Sequence, residues 1–503
     1  MNSGIVAKAV AAEVTKRKRF SRPNPPPYVG GYHSGTHPGS RRKGWLVQAR
    51  SAAVPGRRNA GRATGVGANR PAGARRRRCG RGRPHSAKRI RPAPIATRAV
   101  RNTAWSTSAV ALLACMALAA TVAASAGDRF NSSKLSQMDE EIQRAIAEHR
   151  LPGGVLWVEC KGSNYHRAFG FRSVFPAPEA MTEDTVFDVA SLTKVLATVP
   201  ALMVLYEQGK VKLEEPVVNY LPEFKGGGKE AITVRHLLTH TSGFDRGLSH
   251  EPDWFDYKSA FKMICAEAPS EPPGAAFLYS DLNFIILGEV VQRLAGMKLD
   301  EFCAQEIFKP LKMVDTCFLP SQDARSRIAP TEKVGRGVLR GTVHDFKAQG
   351  MGGVAGHAGL FTTAADVARF ARMMLNQGKL DGSQVLKAET VNLMTSVQSP
   401  GHVRARRGLG WDIDSDYSRP RGDLFPIGSF GHTGFTGVCL WIDPFSQTFW
   451  MFLSNRIHPD PSGNIYPLQR TLATLAAEAV IGFNFRDVPE TLTPQKTNDE
   501  RKY

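Results

Sequence analysis

The chain has 503 residues, of which 42% are hydrophobic, and a formal net charge of +21. The charge is unevenly distributed: residues 1–107 contain 25 lysines and arginines but one acid, Glu13, a net +24. Residues 108–503 therefore carry a net charge of only −3, since the whole chain carries +21. The high overall charge therefore says nothing about the partners of the body, for which we expect no nucleic acid.

The basic leader, residues 1–107, is rich in glycine, alanine, proline and arginine and has few large apolar residues. Such a segment cannot bury enough surface to offset its chain entropy, so we expect it to be disordered. Runs such as Arg75–Arg78 neutralise phosphates and would suit a nucleic-acid-binding arm. The alternative is an upstream extension of the reading frame that is not translated in the cell, or an inert tail.

Residues 108–126 form an uncharged apolar segment that follows Arg98 and Arg101 and ends in Ala-Ser-Ala. A basic start, an apolar middle and a small-residue end predict a secretory signal, and therefore export to the periplasm or the outside. The length also permits an uncleaved membrane anchor, which would be the chain's one contact with a membrane.

Five cysteines follow the apolar segment, and their spacing does not fit a zinc site. Of these five, Cys303 and Cys317 could pair in an oxidising compartment.

The body begins with a helical pattern over residues 134–150 and two strand patterns over 153–160 and 165–171. Strand patterns return at 437–443 and 448–455 and are followed by a helical pattern over 468–481. The intervening chain is mostly helical. We therefore predict an α+β fold, an antiparallel sheet flanked by helices with a long helical insert. The predicted domain covers residues 134–483 and is followed by a flexible tail, 484–503.

A Ser-x-x-Lys motif, Ser191 to Lys194, stands directly before an apolar run that predicts a helix. The lysine lies on the same helix face as the serine, one turn further along. Free N–H groups at a helix start favour developing negative charge. If apolar walls and another cation enclose the lysine, its amine can lose its charge and share a proton with the serine. The spacing therefore predicts a nucleophilic Ser191 with Lys194 as its proton partner. The alternative is an N-cap serine with an exposed lysine.

Two other features of the insert have some of the characteristics of binding sites. His236 and His240 have the i, i+4 spacing of a metal pair, but no Glu stands in a His-Glu-x-x-His pattern, so we expect structural roles. The glycine-rich loop 350–361 lacks the spacing of a phosphate loop. It precedes a helical pattern at 364–375, and we expect it to form a wall of a pocket where backbone approaches closely.

Two more short motifs follow the first in chain order: Tyr279-Ser280-Asp281 and His432-Thr433-Gly434. The three together resemble the Ser-x-x-Lys, Tyr-x-Asn and Lys/His-Thr-Gly motifs of the serine penicillin-recognising enzymes. Their order and spacing are most similar to the branch with class C β-lactamases, DD-peptidases and esterases. The resemblance covers about residues 134–483. It includes three further short sequence segments, at 237–243, 356–361 and 430–437.

The resemblance implies catalytic roles for three side chains. Ser191 would be acylated, Tyr279 would be the general base, and Lys194 would hold the serine's proton or keep the tyrosine ionised. A tyrosine with an ordinary pKa of about 10 is a poor base at neutral pH. Two cations near it, Lys194 and, when protonated, His432, would favour the phenolate.

The same resemblance implies a substrate-binding strand. Thr433, beside His432, would hydrogen-bond a substrate carboxylate, and Gly434 would let the strand lie close to the substrate. The backbone N–H groups of Ser191 and Phe435 would form the oxyanion hole. Asp281 departs from the family's Asn, and an ionised carboxylate cannot donate a hydrogen bond. We expect Asp281 either to pair with Lys194 or to select a substrate with a donor.

The sequence thus predicts an exported serine hydrolase that acts through an acyl-enzyme at Ser191 and needs no metal, nucleotide or other cofactor. His432 and Asp281 favour a D-alanyl-D-alanine carboxypeptidase-like or esterase-like activity, on a small molecule or a peptidoglycan peptide. The alternatives are a β-lactamase proper and a weakly active penicillin- or peptidoglycan-binding protein. The sequence makes no prediction of oligomeric state.

Overall fold

The computed structural model describes residues 129–245 and 256–489. The leader 1–107 and the apolar segment 108–126 lie outside the described residues, as does the tail after residue 489. Within 129–245 and 256–489, no helix combines the length and the apolar character that a membrane crossing requires.

The regular elements are numbered in chain order. The strands are β1 Gly153–Cys160, β2 Ser163–Ser173, β3 Glu179–Ala180, β4 Phe187–Asp188, β5 Cys317–Phe318, β6 Lys333–Val334, β7 Gly337–Val338, β8 Leu360–Thr362, β9 Lys379–Leu380, β10 Ser383–Gln384, β11 Arg406–Arg407, β12 Asp412–Asp414, β13 Phe430–Gly434, β14 Val438–Asp443 and β15 Thr448–Ser454. The α-helices are α1 Ser132–Ala147, α2 Val199–Glu207, α3 Val234–Leu238, α4 Tyr257–Ala266, α5 Asp281–Ala295, α6 Leu299–Cys303, α7 Phe346–Gly350, α8 Ala364–Leu375, α9 Ala388–Thr395 and α10 Tyr466–Ala479. Two π-helical segments, Lys194–Thr198 and Ala304–Phe308, are continuous with α2 and α6.

An eight-stranded sheet in the order β11-β12-β13-β14-β15-β1-β2-β3 joins the two ends of the domain. Every neighbouring pair in it is antiparallel. The strands nearest the two ends of the domain meet where β1 pairs with β15, with Gly154 opposite Ser454 and Cys160 opposite Thr448. This arrangement confirms the predicted α+β fold, in which the first and last strands form one sheet and the insert lies between them in sequence.

Both faces of the sheet are buried, because alternate side chains of a strand point to opposite faces. On one face, Leu156 and Trp450 pack in a core with residues of α1 and α10 such as Ile142 and Leu472. On the other face, Val155, Ile442 and Met451 join the larger core of the helical insert. The helical insert is therefore fixed to one side of the sheet.

A small three-stranded sheet, β4-β8-β5, lies inside the insert. It joins β4, which precedes Ser191, to β8, which ends the glycine-rich loop, although these strands are far apart in sequence. Asp188, three residues before Ser191, pairs with Phe361 at the end of the glycine-rich loop. The loop itself lies backbone to backbone against α5, since a Cβ on Gly356 would come within 2.0 Å of the Phe284 carbonyl oxygen. The nucleophile segment, the loop and α5 therefore meet at one place.

Two details differ from the sequence-based expectations. The five cysteines of the described residues are all free, so Cys303 and Cys317 do not pair; Cys303 is buried, with its Sγ 3.6 Å from the Ala197 carbonyl oxygen. Packing also continues past residue 483, the predicted end of the domain, because Phe485 is buried with its ring 5.2 Å from that of Phe425.

Candidate active site

Ser191 follows a sharp turn in the backbone at the end of β4. Ala190 has a φ of 44°, a left-handed conformation that is uncommon for a residue with a Cβ. The buried Asp188 carboxylate supports the turn by accepting hydrogen bonds from the Ala190 N–H at 2.9 Å and the His344 N–H at 2.7 Å. The turn leaves Ser191 half-buried and places it one helical turn before Lys194.

The Lys194 ammonium is fully buried and donates to three acceptors. They are Ser191 Oγ at 2.9 Å, Asp281 Oδ1 at 2.9 Å and the His357 carbonyl oxygen at 3.2 Å. Burial lowers the pKa of Lys194, but Asp281 and Tyr279 outweigh it and the net shift is upward. The condition under which the amine could lose its charge is therefore not met, because the Asp281 carboxylate stabilises the ammonium. Of the two roles that the resemblance implies for Lys194, the raised pKa favours the one in which an ammonium keeps Tyr279 ionised.

Asp281, the first residue of α5, lies between two lysines. Its Oδ1 accepts from Lys194, and its Oδ2 accepts from Lys347 Nζ at 2.7 Å. Burial alone would raise the pKa of Asp281, but Lys194 and Lys347 hold it well below its usual range. Of the two roles expected for Asp281, the structure shows the pairing with Lys194. We refer to Asp281 with its two lysines as the Asp281 bridge.

The sequence-based reasoning missed Lys347 and the pair that supports it. Asp345 caps the short helix α7 through Ala348 N–H at 2.8 Å, and this sets the direction of Lys347. The same Asp345 oxygen accepts the Nε2 hydrogen of His357 at 2.8 Å. Burial would raise the pKa of Asp345, but His357 brings it to about 2. The glycine-rich loop 350–361, which contains His357, was predicted to form a wall of the pocket. Its sequence did not indicate that Asp345 or Lys347 belongs to the site.

Asp281, Asp345 and His357 place ligand atoms within 4.8 Å of one another, a composition that can suit a metal ion. The atoms are already engaged, however. Both Asp281 oxygens accept hydrogen bonds from ammonium groups, and His357 Nε2 donates to Asp345. Two lysines beside the same carboxylate repel a further cation, so these residues fit a charged hydrogen-bond network and not a metal centre.

Tyr279 lies in an aromatic cluster next to the lysine. Lys194 Nζ is 5.1 Å from its ring centroid, and the rings of His240 and Tyr417 lie 4.3 and 5.2 Å away. His240 is held by its Nδ1, which accepts the Ser280 N–H at 3.2 Å. The i, i+4 histidine pair thus has structural roles: His240 supports Tyr279, while His236 is part of the cap of α3.

His432 is buried in β13 with its ring centroid 6.0 Å from that of Tyr279. Its Nδ1 donates to the Thr433 carbonyl oxygen at 2.7 Å, which leaves Nε2 as an acceptor without a partner among the described residues. Burial, together with the positive charges of Arg407 and Lys194, lowers the pKa of His432 well below 6.5. The buried imidazole is therefore neutral at neutral pH and does not act as a second cation beside Tyr279.

The end of β13 lies directly against the nucleophile segment. A Cβ on Gly434 would come within 2.5 Å of the Val189 carbonyl oxygen, so the close approach requires glycine. Thr436 Oγ1 donates to the Asp188 carbonyl oxygen at 2.7 Å and ties the next turn to the same segment. The N–H groups of Ser191 and Phe435 donate to no other described residue. Both amides are therefore available to a ligand.

Residues 138–474 match the family model described as beta-lactamase. The chain belongs to this family. The membership confirms the resemblance inferred from the three motifs, and it covers the sheet and the whole helical insert.

Two curated relatives cover about two thirds of the chain. A protein of Escherichia coli (strain K12) named as a D-alanyl-D-alanine carboxypeptidase is 30% identical over 375 residues, 67% of this chain and 86% of that protein. An N-acetylmuramyl-L-alanine amidase of Bacillus subtilis (strain 168) is 32% identical over 381 residues, with the same shares of the two chains.

Solved structures of low sequence identity share the fold. The hydrolase EstCE1 superposes with a TM-score of 0.56 at 22% identity, over 68% of this chain and 99% of its own. A penicillin-binding protein homologue from Caulobacter crescentus gives 0.57 at 20% identity, over 69% and 97%. These likenesses confirm the β-lactamase/transpeptidase-like architecture.

Proposed function

We propose that this β-lactamase-family protein is an exported serine hydrolase that forms an acyl-enzyme at Ser191. The observation that carries the proposal is the 2.9 Å hydrogen bond from Lys194 Nζ to Ser191 Oγ. Because the ammonium donates to Oγ, the serine's own hydrogen is free to be given to another group. Tyr279, whose ring lies beside the same ammonium, is the base in this proposal.

Acylation would begin when Tyr279, as phenolate, takes the Ser191 proton. The Oγ electron pair attacks the substrate carbonyl carbon, and the carbonyl electrons move onto oxygen. The N–H groups of Ser191 and Phe435 would hold this oxyanion. As the intermediate collapses, Tyr279 gives the proton to the departing alcohol or amine, and the acyl group stays on Ser191.

Deacylation would use the same groups in the reverse direction. Tyr279 takes a proton from water, the hydroxide oxygen attacks the acyl carbon, and Ser191 Oγ leaves with the proton that Tyr279 returns. Lys194 remains an ammonium throughout, fixed by Asp281 and the His357 carbonyl, and stabilises each negative oxygen that develops next to it.

For the substrate we propose a D-alanyl-D-alanine carboxypeptidase-like activity on peptidoglycan peptides. The relatives named as carboxypeptidase and amidase support this proposal, and export, inferred from residues 108–126, would bring the protein to that substrate. An esterase-like activity is the second candidate. It is favoured by the neutral His432, because the third motif then offers a hydrogen-bond acceptor and no positive charge for a substrate carboxylate.

Covalent labelling tests the nucleophile. We expect a fluorophosphonate, or a slowly hydrolysed β-lactam or ester, to add one acyl or phosphonyl group to the intact protein in mass spectrometry. Ser191→Ala should lose both the label and all turnover. The matched control is Ser396→Ala, which alters an exposed serine after α9 and should keep both. Turnover that survives in Ser191→Ala would refute the proposal.

A matched substrate series tests the substrate class. An acyl-D-alanyl-D-alanine peptide, the depsipeptide with D-lactate in the last position, and a short p-nitrophenyl ester differ in leaving group or in the terminal carboxylate. Preference for the first two supports the carboxypeptidase-like activity, whereas preference for the simple ester supports the second candidate. Nitrocefin turnover faster than all three would identify a β-lactamase, and labelling without turnover would identify a penicillin-binding pseudoenzyme.

A further inference from the structure

The Asp281 bridge has one negative group and two positive groups. The family motif has a neutral Asn where this chain has Asp281, so the substitution adds a negative charge 2.9 Å from Lys194 Nζ. Lys347 adds a positive charge on the other oxygen, at 2.7 Å, and its side chain is only 9% exposed. The second lysine therefore cancels the charge that the aspartate introduces, within the same hydrogen-bonded unit.

The position of Lys347 is set by a short helix and the residue that caps it. The helix that carries it, α7, has only five residues, and Asp345 fixes its first turn. Asp345 also holds His357, whose carbonyl oxygen accepts from Lys194. The two lysines are thus located by one network, although they are 153 positions apart in the chain.

We propose that Lys347 is a positioning residue that balances the charge of Asp281, so that the positive charge of Lys194 remains available to Tyr279 and Ser191. This inference rests on the proposed function, in which Tyr279 acts as phenolate. Without Lys347 the carboxylate would cancel the charge of Lys194, and the base would lose its stabilising cation.

The other charged groups near Tyr279 do not replace Lys347. Arg407 is buried and paired with Asp412, 3.1 Å away. His240 and His432 are buried and are not cations. Tyr417, the remaining titratable neighbour, can add only negative charge.

Asp345 and His357, joined by a hydrogen bond of 2.8 Å between Oδ1 and Nε2, are the remaining polar pair of the network. Neither residue is replaced in the variants described below. Lys347 lowers the pKa of Asp345 and Asp281 raises it, so the two replacements act on this pair in opposite directions and offset each other in the double variant.

The proposal predicts that replacing Lys347 and replacing Asp281 have opposite effects on the ionisation of Tyr279. Lys347→Met removes a positive charge and should raise the pH at which Tyr279 ionises by about one unit, the order expected for one charge several ångströms away. Asp281→Asn removes a negative charge and should lower that pH by a similar amount. The double variant should return close to the parent value, because the two changes cancel.

The ionisation of Tyr279 can be measured without any turnover. The near-ultraviolet absorbance of phenolate is followed against pH in the parent, the two single variants and the double variant, each compared with the same protein carrying Tyr279→Phe. The difference isolates Tyr279 from the other tyrosines. Lys134→Met is the control, since it breaks an ion pair with Glu478 between α1 and α10 and should leave the titration unchanged.

The kinetic measurement uses the same proteins with the ester or peptide that the parent hydrolyses. We expect the acidic limb of the kcat/KM profile to follow the Tyr279 titration in each variant. Lys347→Met should lower kcat at neutral pH about tenfold, with KM nearly unchanged. A higher KM with unchanged kcat would instead place Lys347 on the substrate and overturn the positioning role.

The outcomes separate this inference from the proposed function. Single variants that shift the titration in the same direction, or a double variant that fails to return, would overturn the role of Lys347 whether or not the protein is a hydrolase. Opposite and cancelling shifts in a protein without Ser191-dependent turnover would support the charge balance and refute only the proposed function.

Discussion

His432 donates its Nδ1 hydrogen to the carbonyl oxygen of Thr433, the next residue of β13, at 2.7 Å. This hydrogen bond fixes the tautomer of the imidazole and leaves Nε2 as an acceptor. Because the side chain is buried near Arg407 and Lys194, the neutral form is the stable one. The third motif therefore presents an uncharged acceptor where a lysine would present a cation.

The burial of His432 predicts how stability depends on pH. Since its folded pKa lies well below 6.5, the unfolded chain binds the extra proton, and stability falls as the pH drops below about 6.5. In His432→Gln, the free energy of unfolding should fall less steeply with decreasing pH, by up to about 1.4 kcal/mol per pH unit. Urea unfolding of both proteins from pH 7.5 to pH 5 measures the difference. The exposed His402→Gln is the control, and an identical slope for His432→Gln would contradict a buried neutral imidazole.

Replacing the neutral acceptor by a cation tests whether position 432 sets the substrate class. We expect His432→Lys to shift the ratio of kcat/KM values from esters towards β-lactams, because the ammonium can pair with the carboxylate that β-lactams carry. The measurement compares nitrocefin with a p-nitrophenyl ester in both proteins. An unchanged ratio would mean that this position does not decide between the two classes.

Two neighbouring tyrosines provide a matched test of the base. Tyr279→Phe should lower kcat about 10²- to 10⁴-fold, the range for loss of a general acid–base group. Tyr417→Phe removes the hydroxyl of a neighbouring tyrosine, whose ring centroid lies 5.2 Å from that of Tyr279. It should lower kcat less than about tenfold, since it keeps the aromatic packing. Steady-state kinetics on one ester measure both variants. Equal losses would indicate that Tyr279 contributes through packing and not through its hydroxyl.

Gly434 offers a test of the close approach between β13 and the nucleophile segment. Gly434→Ala would place a Cβ 2.5 Å from the Val189 carbonyl oxygen, so we expect a loss of about 1–3 kcal/mol in stability and a larger loss of kcat than of substrate binding. Gly401→Ala is the control, because no atom lies within 4 Å of the added Cβ. Full activity in Gly434→Ala would show that the strand can move without affecting catalysis.

Local patterns predicted most of the fold. The helix predicted over 364–375 was found as Ala364–Leu375, because its apolar period is clear and Thr363 caps its first turn. The strands of the final hairpin, predicted at 437–443 and 448–455, were found as Val438–Asp443 and Thr448–Ser454. The π-helical start at Lys194 was not predicted, because no local sequence signal distinguishes it from an α-helix.

The sequence by itself determined the fold class, the family and the order of Ser191, Lys194 and Tyr279 along the chain. These follow from local periodicity and from short motifs, which depend only on neighbouring residues. Only the tertiary structure decided that Lys194 is charged, that His432 is neutral and that Lys347 faces Asp281. Protonation depends on burial and on charges that folding brings from distant segments, and neither quantity can be read from local sequence.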